Sequence, residues 1–555
     1  MPSSSIPQCR LAVIGFGPRG LGALEALLIE AQGKNAEVTI DIFDPFEWPA
    51  AGPNFDPEQS PHCILNIPIR ALNIDPPDIL SDRIKPFDEW SSTSYQPEDY
   101  PPRSDLGAYL NARFKALCEA GKGKFTITTT DTLITGAAHS ATGWWVQAGD
   151  KKHGPYDEVL LTQGQPQTEP DPQLARWTGF ANAQGLPLIS AYPANRLIER
   201  AGDWAGQTVA IRGLGLSTLD VLRMLTWGLG GRFENGSYIA SGKEPHRILP
   251  FSLDGFPPAA KPATAEVDAK YDPTPEETRA FTTALKATLD LEPRDALARL
   301  CQALVAPATR ILGSLDSSAT QRDVEDWLEV ECDAPGAQET AVALDALRSS
   351  IEMAQARVPP SIGYAIGQLW RKWQNELRRG VNAVRHKTLT ATALVGFDEG
   401  LKRYSYGPPV SAAQELLILI DMGMVSLCTV ADPAVLLTSK GWHLIEGDDG
   451  MLASVMVDAV LPSPDLAQVS DPLVRGCVEA GMIHPIAEGL GAHTLPEGQL
   501  LDRDHAPQGG FSMLGRLALG SVIAADSLHD CFGASTNRWA AGVADRCFRS
   551  APPGQ

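Results

Sequence analysis

The chain has 555 residues, a formal net charge of −21, 43% hydrophobic residues and 20% charged residues. That length exceeds what one hydrophobic core supports and predicts about two to four domains. The composition is typical of folded globular proteins and excludes a disordered chain. The negative charge repels phosphate backbones and anionic lipids, so we expect neither nucleic acid nor a membrane as a partner.

The nine cysteines are scattered, without a Cys-x-x-Cys pair or a Cys/His cluster at zinc spacing. This pattern favours a reducing compartment and predicts no metal site. Apolar stretches stay shorter than the roughly 18 residues of a membrane span, and the N-terminus lacks the pattern of a secretory leader. We therefore expect a cytoplasmic protein.

Residues 1–50 predict one strand–helix–strand unit. Leu11–Ile14 form a short apolar run that ends at Gly15, and leucines at helical spacing follow until about Gly33. A second apolar strand, residues 38–43, ends at Asp44. The order and length are those of a Rossmann βαβ unit.

The turn of this unit has the spacing Gly-x-Gly-x-x-Gly. Glycines let the backbone approach a pyrophosphate, and the helix that begins there directs free N–H groups and a positive dipole end at it. An acid at the end of the second strand can accept hydrogen bonds from ribose hydroxyls. The predicted cofactor-binding residues are Gly15, Gly17, Pro18, Arg19, Gly20 and Asp44. The alternative is a tight turn with a purely structural role.

Residues 45–102 are rich in Pro, Asp and Ser, and so long an irregular stretch inside a compact domain is usually functional. A helix is predicted over 105–118, antiparallel strands around Trp144, and a buried strand over 157–161 that ends in a turn at Gly164. This turn would lie close to the first glycine turn.

A second Rossmann-like turn follows the predicted strand Thr208–Arg212 and carries two of the three glycines. Two such turns in one chain are the layout of flavin enzymes that a nicotinamide reduces. The predicted binding residues are Gly213, Gly215, Leu216 and Ser217. The alternative is a degenerate domain that no longer binds. Lys243, Arg247 and Lys261 come later in the chain and favour NADPH over NADH.

From about residue 257 to residue 430 the pattern becomes helical. Thr274 begins a capping box with Glu277, and apolar residues between Ile362 and Leu377 recur at helical spacing. Strand character returns at 452–461, and residues 515–526 predict a strand and turn before a closing helix. We predict an α/β fold with two Rossmann-like dinucleotide-binding domains and a helical insertion. The FAD domain comprises 1–170 plus 440–555, the NAD(P)H domain 171–256, and the insertion or substrate domain 257–439.

Several segments together resemble an FAD/NAD(P)-binding protein family related to flavin-dependent N-hydroxylating monooxygenases, one branch of which forms nitrosuccinate from aspartate. They are the first glycine turn, 52–55, 60–66, 102–103, 241–245, 407–409 and 526–539. The resemblance extends over nearly the whole chain and implies FAD, NADPH (NADH possible), O2 and a small amine or amino acid. It also implies a flavin hydroperoxide that a neutral amine attacks, so the protein need supply no nucleophile.

The resemblance places the loop of Asn66 and His62 against the flavin and makes these the catalytic candidates; the alternatives are turn chemistry for Asn66 and strand capping for His62. Arg103 would bind cofactor phosphate or substrate, or cap its helix. Gly164 and Gln165 would turn the chain near the nucleotides. Asp526 would contact the flavin, or cap the last helix.

The substrate carboxylate requires a cation. Lys261 and Arg385 are the predicted anchors; Arg371, Arg378 and Arg379 are further cations of the insertion, and each has the alternative of being a solvated helix charge. One departure concerns NADPH: where relatives often have Ser-Arg-x-Gly, this chain has Ser252-Leu253-Asp254-Gly255. The rival functions are another flavin reaction and a redox sensor without turnover.

Overall fold

A computed structural model of the chain describes residues 8–385 and 387–548. The strands are β1 (Gln8–Ile14), β2 (Glu37–Phe43), β3 (Phe125–Thr130), β4 (Gly136–Ser140), β5 (Gly143–Ala148), β6 (Lys151–Tyr156), β7 (Glu158–Leu161), β8 (Leu188–Ser190), β9 (Thr208–Arg212), β10 (Arg232–Glu234), β11 (Ser237–Ile239), β12 (Arg247–Phe251), β13 (Ala434–Thr438), β14 (Gly441–Glu446), β15 (Asp449–Ala453), β16 (Val455–Asp458), β17 (Gln499–Leu501) and β18 (Pro507–Met513).

The helices are α1 (Pro18–Glu30), α2 (Phe87–Trp90), α3 (Arg103–Ala120), α4 (Pro172–Gln184), α5 (Ala194–Ala201), α6 (Leu216–Leu225), α7 (Ala265–Ala269), α8 (Pro275–Ala287), α9 (Pro293–Ser314), α10 (Gln321–Asp333), α11 (Ala343–Ala354), α12 (Ile362–Lys372), α13 (Gln374–Gly380), α14 (Thr388–Ser405), α15 (Val410–Asp421), α16 (Pro472–Glu479), α17 (Leu528–Cys531) and α18 (Ala534–Cys547).

The first sheet has the strand order β17-β18-β7-β1-β2-β3. All neighbours pair in parallel except β17 with β18, and the central strand β1 is buried, as its continuous apolar run requires. Helix α1 joins β1 to β2, so the predicted βαβ unit is confirmed. The last helix, α18, packs against α1 and closes this half of the molecule.

The second sheet has the order β12-β9-β16-β8, and all of its strands are parallel. The strand β16 lies within 440–555, which we predict to belong to the FAD domain, but it pairs with β9 of the second sheet. Its apolar residues Val455, Met456 and Val457 are buried. An apolar run fits the middle of either parallel sheet, so the pattern could not choose between them.

Residues 265–421 are helical from α7 to α15, as predicted. Thr274 forms the expected capping box with Glu277, and Trp370 and Trp373 lie in the core of this region. The prediction of a strand at 515–520 was wrong: the strand β18 ends at Met513, and Arg516–Ala518 form a short 3-10 turn. Across the described ranges, no helix combines the length and apolarity needed to cross a bilayer.

Candidate dinucleotide and substrate site

The first glycine turn connects the carboxyl end of β1 to the start of α1. Gly15 has φ +77°, and a Cβ there would lie 2.6 Å from the Cα of Gln163. Gly17 caps α1 without any side-chain hydrogen bond, and Pro18 occupies the first turn, where its missing N–H costs nothing. A Cβ on Gly20 would lie 2.6 Å from the Phe16 ring. The turn therefore requires glycine at position 15, and its helix N-terminus has no side-chain cap that would compete with an anion.

Asp44 follows β2 at the same edge of the sheet. Its carboxylate accepts hydrogen bonds from the backbone N–H groups of Phe16, at 2.5 Å, and Phe46, at 2.9 Å. Burial raises the pKa of Asp44 although both hydrogen bonds oppose this. Asp44 thus holds the glycine turn in place and lies where the ribose of a bound dinucleotide is expected.

Arg19 lies in the turn, but its guanidinium points to the C-terminal segment. It donates to the Asp530 carboxylate at 2.6 Å and to the Ala525 carbonyl at 2.8 Å. These contacts occupy the buried guanidinium. Arg19 can therefore contact a ligand only through its backbone N–H. The side chain instead fastens the segment before α17 to the start of α1.

The second turn repeats the cap geometry of the first. Gly215 caps α6 with φ −86° and ψ −161°, compared with −87° and −162° at Gly17. Gly213 has φ +115°, and its N–H donates to the Phe251 carbonyl at 2.8 Å. Gly215 is exposed, whereas Leu216 and Ser217 at the helix start are half-buried. The second turn therefore also offers a free helix N-terminus to a phosphate.

The loop after β12 is the place from which a Rossmann domain contacts the adenosine ribose. It carries Ser252, Leu253 and Asp254, and the Leu253 side chain is 87% exposed. The three cations that favoured NADPH lie elsewhere. Lys243 and Arg247 precede β12 or begin it, at the other end of the strand, and Lys261 contacts Asn66. The loop after β12 thus presents an acidic side chain, Asp254, and an apolar one, Leu253, to the 2′ position of the adenosine ribose.

The irregular segment 45–102 contacts the first glycine turn, the second domain, the insertion and the C-terminal segment. Gly52 packs on Gly17, and the Glu58 carbonyl accepts from Asn195 of α5 at 2.7 Å. The Asn66 carbonyl accepts from the Lys261 ammonium of the insertion. The Ala71 carbonyl is 2.9 Å from the His529 Nε2 of the C-terminal segment. This segment therefore lies at the junction of both dinucleotide domains and the insertion, where ligand sites preferentially form.

Asn66 and Lys261 are thus brought together, although 195 positions separate them. The Asn66 side-chain amide has no hydrogen-bond partner within the described ranges and remains available to a ligand. Burial, together with the charge of Arg371, lowers the pKa of Lys261 to about 7. A substantial fraction of this amine is therefore neutral near physiological pH.

His62 lies apart from Asn66. Its ring stacks on Trp227 at 5.7 Å between centroids, beyond the C-terminal end of α6 and so at the opposite end of that helix from Gly215. Burial and the charge of Arg223 lower the pKa of His62. These contacts indicate a packing role between the segment and the second domain.

Arg103 joins the two dinucleotide domains. Its guanidinium donates to the Asp220 carboxylate of α6 at 2.5 Å, to the Tyr192 hydroxyl at 3.3 Å and to the Ile64 carbonyl at 3.2 Å. Tyr192 also donates to Asp220, at 2.5 Å. Arg103 thus forms a buried ion pair with Asp220 and holds the Asn66 loop through the Ile64 carbonyl.

Gln165 and Asp526 lie on one chain of polar contacts. Gly164, with φ +69°, turns the backbone after β7, and the Gln165 side-chain oxygen accepts from Arg516 at 2.7 Å. Asp526 accepts from Arg516 at 2.9 Å and from Lys402 at 3.0 Å. Burial opposes ionisation, but both cations outweigh it and lower the pKa of Asp526. Ser527 and Gly533 cap the last helices, so Asp526 is not their cap.

Several partners of the predicted site residues have no signal in the sequence. Arg516 and Lys402 at Asp526, and Asp220 at Arg103, have no local pattern that marks them, since each is distant in sequence or lies on an ordinary helix. Arg385 is exposed and its charge acts on His493. Among the described residues, no hydrogen bond or ion pair joins Arg385 to Lys261.

Residues 12–166 match a protein family described as FAD-NAD(P)-binding. They form an FAD/NAD(P)-binding domain. The matched region begins in β1 and ends just beyond the turn at Gly164. It therefore includes the first glycine turn, Asp44 and the Asn66 loop.

Two relatives and one solved structure are similar to this chain. A nitrosuccinic acid synthase from Aspergillus oryzae is 29% identical over 294 residues, which are 46% of this chain and 42% of that protein. An L-aspartate N-monooxygenase (nitrosuccinate-forming) from Streptomyces davaonensis is 26% identical and aligns over 90% of this chain and 91% of its own. The reduced ornithine hydroxylase from Pseudomonas aeruginosa is 12% identical, covers 97% of this chain and 99% of its own, and has a TM-score of 0.46. The alignment with the Aspergillus protein spans less than half of that protein.

Proposed function

We propose that this protein is an FAD-dependent, NADPH-using monooxygenase that N-hydroxylates a small amine, an amino acid such as L-aspartate. NADH is a possible alternative donor. The observation that carries the proposal is the junction itself: two glycine turns whose helix N-termini have no side-chain cap, with Asn66 and Lys261 on the segment and insertion between them. The names of the two relatives support the reaction and the substrate class.

The two glycine turns fit the phosphates of two dinucleotides. Gly17 and Gly215 cap their helices without a side-chain bond, so nothing in the turn competes with a phosphate for the N–H groups. We assign FAD to Gly15, Gly17, Pro18, Gly20, Asp44 and the Gly164–Gln165 turn, and the nicotinamide nucleotide to Gly213, Gly215, Leu216 and Ser217. When bound, these groups would supply electron transfer from the nicotinamide to O2.

The division into domains is part of the same proposal. Residues 1–170 and the C-terminal strands and helices hold FAD, 171–256 together with Val455–Asp458 hold the nicotinamide, and 257–439 contribute to the substrate site. Asp526 and Arg103 are assigned positioning roles, Asp526 at the C-terminal segment and Arg103 at the Asn66 loop.

We assign Lys261 to the substrate amine. An amine attacks oxygen only through its free electron pair, so the substrate ammonium must lose a proton first. The neutral Nζ of Lys261 can accept that proton because burial keeps its pKa near 7. The amide of Asn66, which is free of other partners, would orient the amine beside it.

The pH dependence tests this assignment. Lys261 accepts a proton only when deprotonated, so amine-stimulated turnover should rise with pH and level off above about 7. Arginine stays protonated, so Lys261→Arg should abolish this limb and lower kcat about 100-fold. The exposed Lys270 offers a matched control, and Lys270→Arg should leave the profile unchanged. An unaltered profile in Lys261→Arg would remove the lysine from the proposal.

The function itself is tested with the purified protein. Bound FAD should give a yellow protein, and NADPH oxidation in air should accelerate with L-aspartate while mass spectrometry detects a hydroxylamine or nitro product. A folded protein without flavin would exclude both this proposal and any other flavin reaction, leaving the redox sensor. Oxidation of NADPH that no amine stimulates would select a different flavin reaction.

A further inference from the structure

Arg378 of α13 is a buried cation without a counter-ion. Its side chain is on a residue only 3% exposed, and its guanidinium donates to Asn375 at 3.0 Å, Gln374 at 2.9 Å and the Ala524 carbonyl at 3.1 Å. All three acceptors are neutral. Within residues 8–385 and 387–548, no carboxylate oxygen lies within 4.0 Å of this guanidinium. An isolated buried charge is costly, so natural proteins usually pair it.

Other buried or half-buried arginines of the same region follow the usual rule. Arg371 pairs with Asp268, Arg403 with Glu331 at 2.7 Å, and Arg223 with Glu415 at 2.7 Å. Arg378 therefore differs from its neighbours in the insertion. The guanidinium has five N–H groups, and the three contacts leave donors unused.

A second donor beside Arg378 is also without a partner. Gln374 is 8% exposed, its side-chain oxygen accepts from Arg378 and from the Tyr406 hydroxyl at 3.2 Å, and its Nε2 has no hydrogen-bond partner. An unsatisfied buried amide N–H costs on the order of 1–3 kcal/mol. Two neighbouring buried groups thus lack an acceptor, and one of them also lacks a negative charge.

The position of the cluster formed by Arg378 and Gln374 connects it with the proposed active site. The carbonyls of Ile523, Ala524 and Ala525 are held by Asn382, Arg378 and Arg19, respectively. Arg19 belongs to the first glycine turn, and Asp526 follows directly. Ala524 has φ +54°, a conformation that costs about 1–3 kcal/mol and concentrates at functional sites. The cluster therefore faces the segment that links the FAD helix to the insertion.

The charges of Lys261 and Arg378 both act on His529. Burial lowers the pKa of His529, and the charges of Arg378 and Lys261 both contribute. His529 lies on the segment that follows Asp526, and its Nε2 is 2.9 Å from the carbonyl of Ala71, five residues after Asn66. The C-terminal segment that Arg378 holds through the Ala524 carbonyl therefore contacts the segment that carries Asn66.

We propose that Arg378 and Gln374 form a carboxylate-binding subsite that recognises an acid group of the amino-acid substrate. The inference rests on the proposed function. The Arg378 fork and the Gln374 Nε2 donate to the carboxylate oxygens, which supply the missing negative charge and acceptors. An anionic edge of the reduced flavin has the same chemistry, and the experiment distinguishes it.

Gln374→Glu is the decisive variant. It gives Arg378 an internal counter-ion without changing the size of the side chain, so folding should be retained or improved. If the subsite binds the substrate, this carboxylate competes with it, and KM for L-aspartate should rise about 100-fold with kcat less affected. Arg378→Met should have a similar effect. Arg379, the exposed neighbour on α13, provides the control, and Arg379→Met should change KM less than about twofold.

The readouts separate this inference from the proposed function. FAD content and basal NADPH oxidation without amine should be equal in wild type and the control Arg379→Met. An unchanged KM in Gln374→Glu and Arg378→Met, or loss of FAD with unchanged affinity for aspartate, would overturn the subsite. Should the wild type prove inactive on any amine, succinate binding measured by calorimetry still decides: it should bind the wild type and bind Gln374→Glu about 100-fold more weakly. Equal binding would overturn it.

Discussion

The two glycine turns have the same cap geometry but different surroundings. Gly17 and Gly215 differ by only one degree in φ and in ψ. A Cβ on Gly15 would meet the Cα of Gln163 at 2.6 Å, whereas one on the equivalent Gly213 would lie 3.3 Å from Ala459; a Cβ on Gly17 would lie 3.9 Å from Gly52, and one on Gly215 would meet no atom within 4 Å. The same local motif is thus enclosed in one domain and open in the other.

This difference suggests different residence times for the two nucleotides. Arg19 fastens the C-terminal segment over the start of α1, so a cofactor bound there would be held by several elements. Gly215 is exposed, so a nucleotide bound there could enter and leave in each turnover. A resident FAD and an exchanging nicotinamide fit this arrangement.

The largest effect is expected from Gly15→Ala. The positive φ and the contact with Gln163 leave no room for a methyl group, so the turn must open. We expect the free energy of unfolding to fall by about 3 kcal/mol or more and bound FAD to be lost. Absorbance of the flavin and urea unfolding measure both. Gly179→Ala, on exposed α4 with no atom nearby, is the control and should be neutral or stabilising.

Asp220→Asn tests the connection between the two turns. The buried charge of Arg103 would lose its counter-ion, which should cost about 3 kcal/mol in urea unfolding. Glu276→Gln breaks the exposed pair with Arg279 and should cost almost nothing. Equal effects of the two variants would show that Arg103 does not depend on Asp220.

Gly215→Ala addresses the second turn alone. Alanine accepts φ −86° and meets no protein atom, so stability and FAD content should not change. Its methyl group would keep a phosphate away from the helix N-terminus, and the Kd for NADPH should rise about 30-fold. Fluorescence titration measures this value. Unchanged affinity would favour a degenerate second domain that no longer binds a nucleotide.

The smallest effect is expected from Leu253→Arg, which tests the preference of the second domain for NADPH over NADH. A guanidinium in the loop after β12 could pair with the 2′-phosphate beside Asp254, so the ratio of kcat/KM for NADPH to that for NADH should rise about tenfold. Leu253→Met keeps the exposed side chain apolar and should leave the ratio as it is. A ratio that stays constant in Leu253→Arg would place the 2′ position elsewhere.

The catalytic candidates were only partly predictable. The Asn66 loop was expected at the flavin and lies at the junction, but His62 stacks on Trp227 instead. A histidine and an asparagine four residues apart in an irregular segment point in directions that no periodicity defines. The strand Val455–Asp458 shows the same limit, because an apolar run fits either parallel sheet.

The sequence by itself determined the features whose physical cause is local. A positive φ at Gly15 and Gly213, the free caps at Gly17 and Gly215, and the capping box at Thr274 each depend on a few neighbouring residues. Only the tertiary structure decided what each charge does. The sequence marks Arg103, Lys261 and Arg378 as cations but does not give their surroundings: Arg103 is paired with Asp220, Lys261 is a buried amine at Asn66 and Arg378 lacks a counter-ion among the described residues. Burial and distant partners set the energy of a charge, and both arise only when the chain is folded.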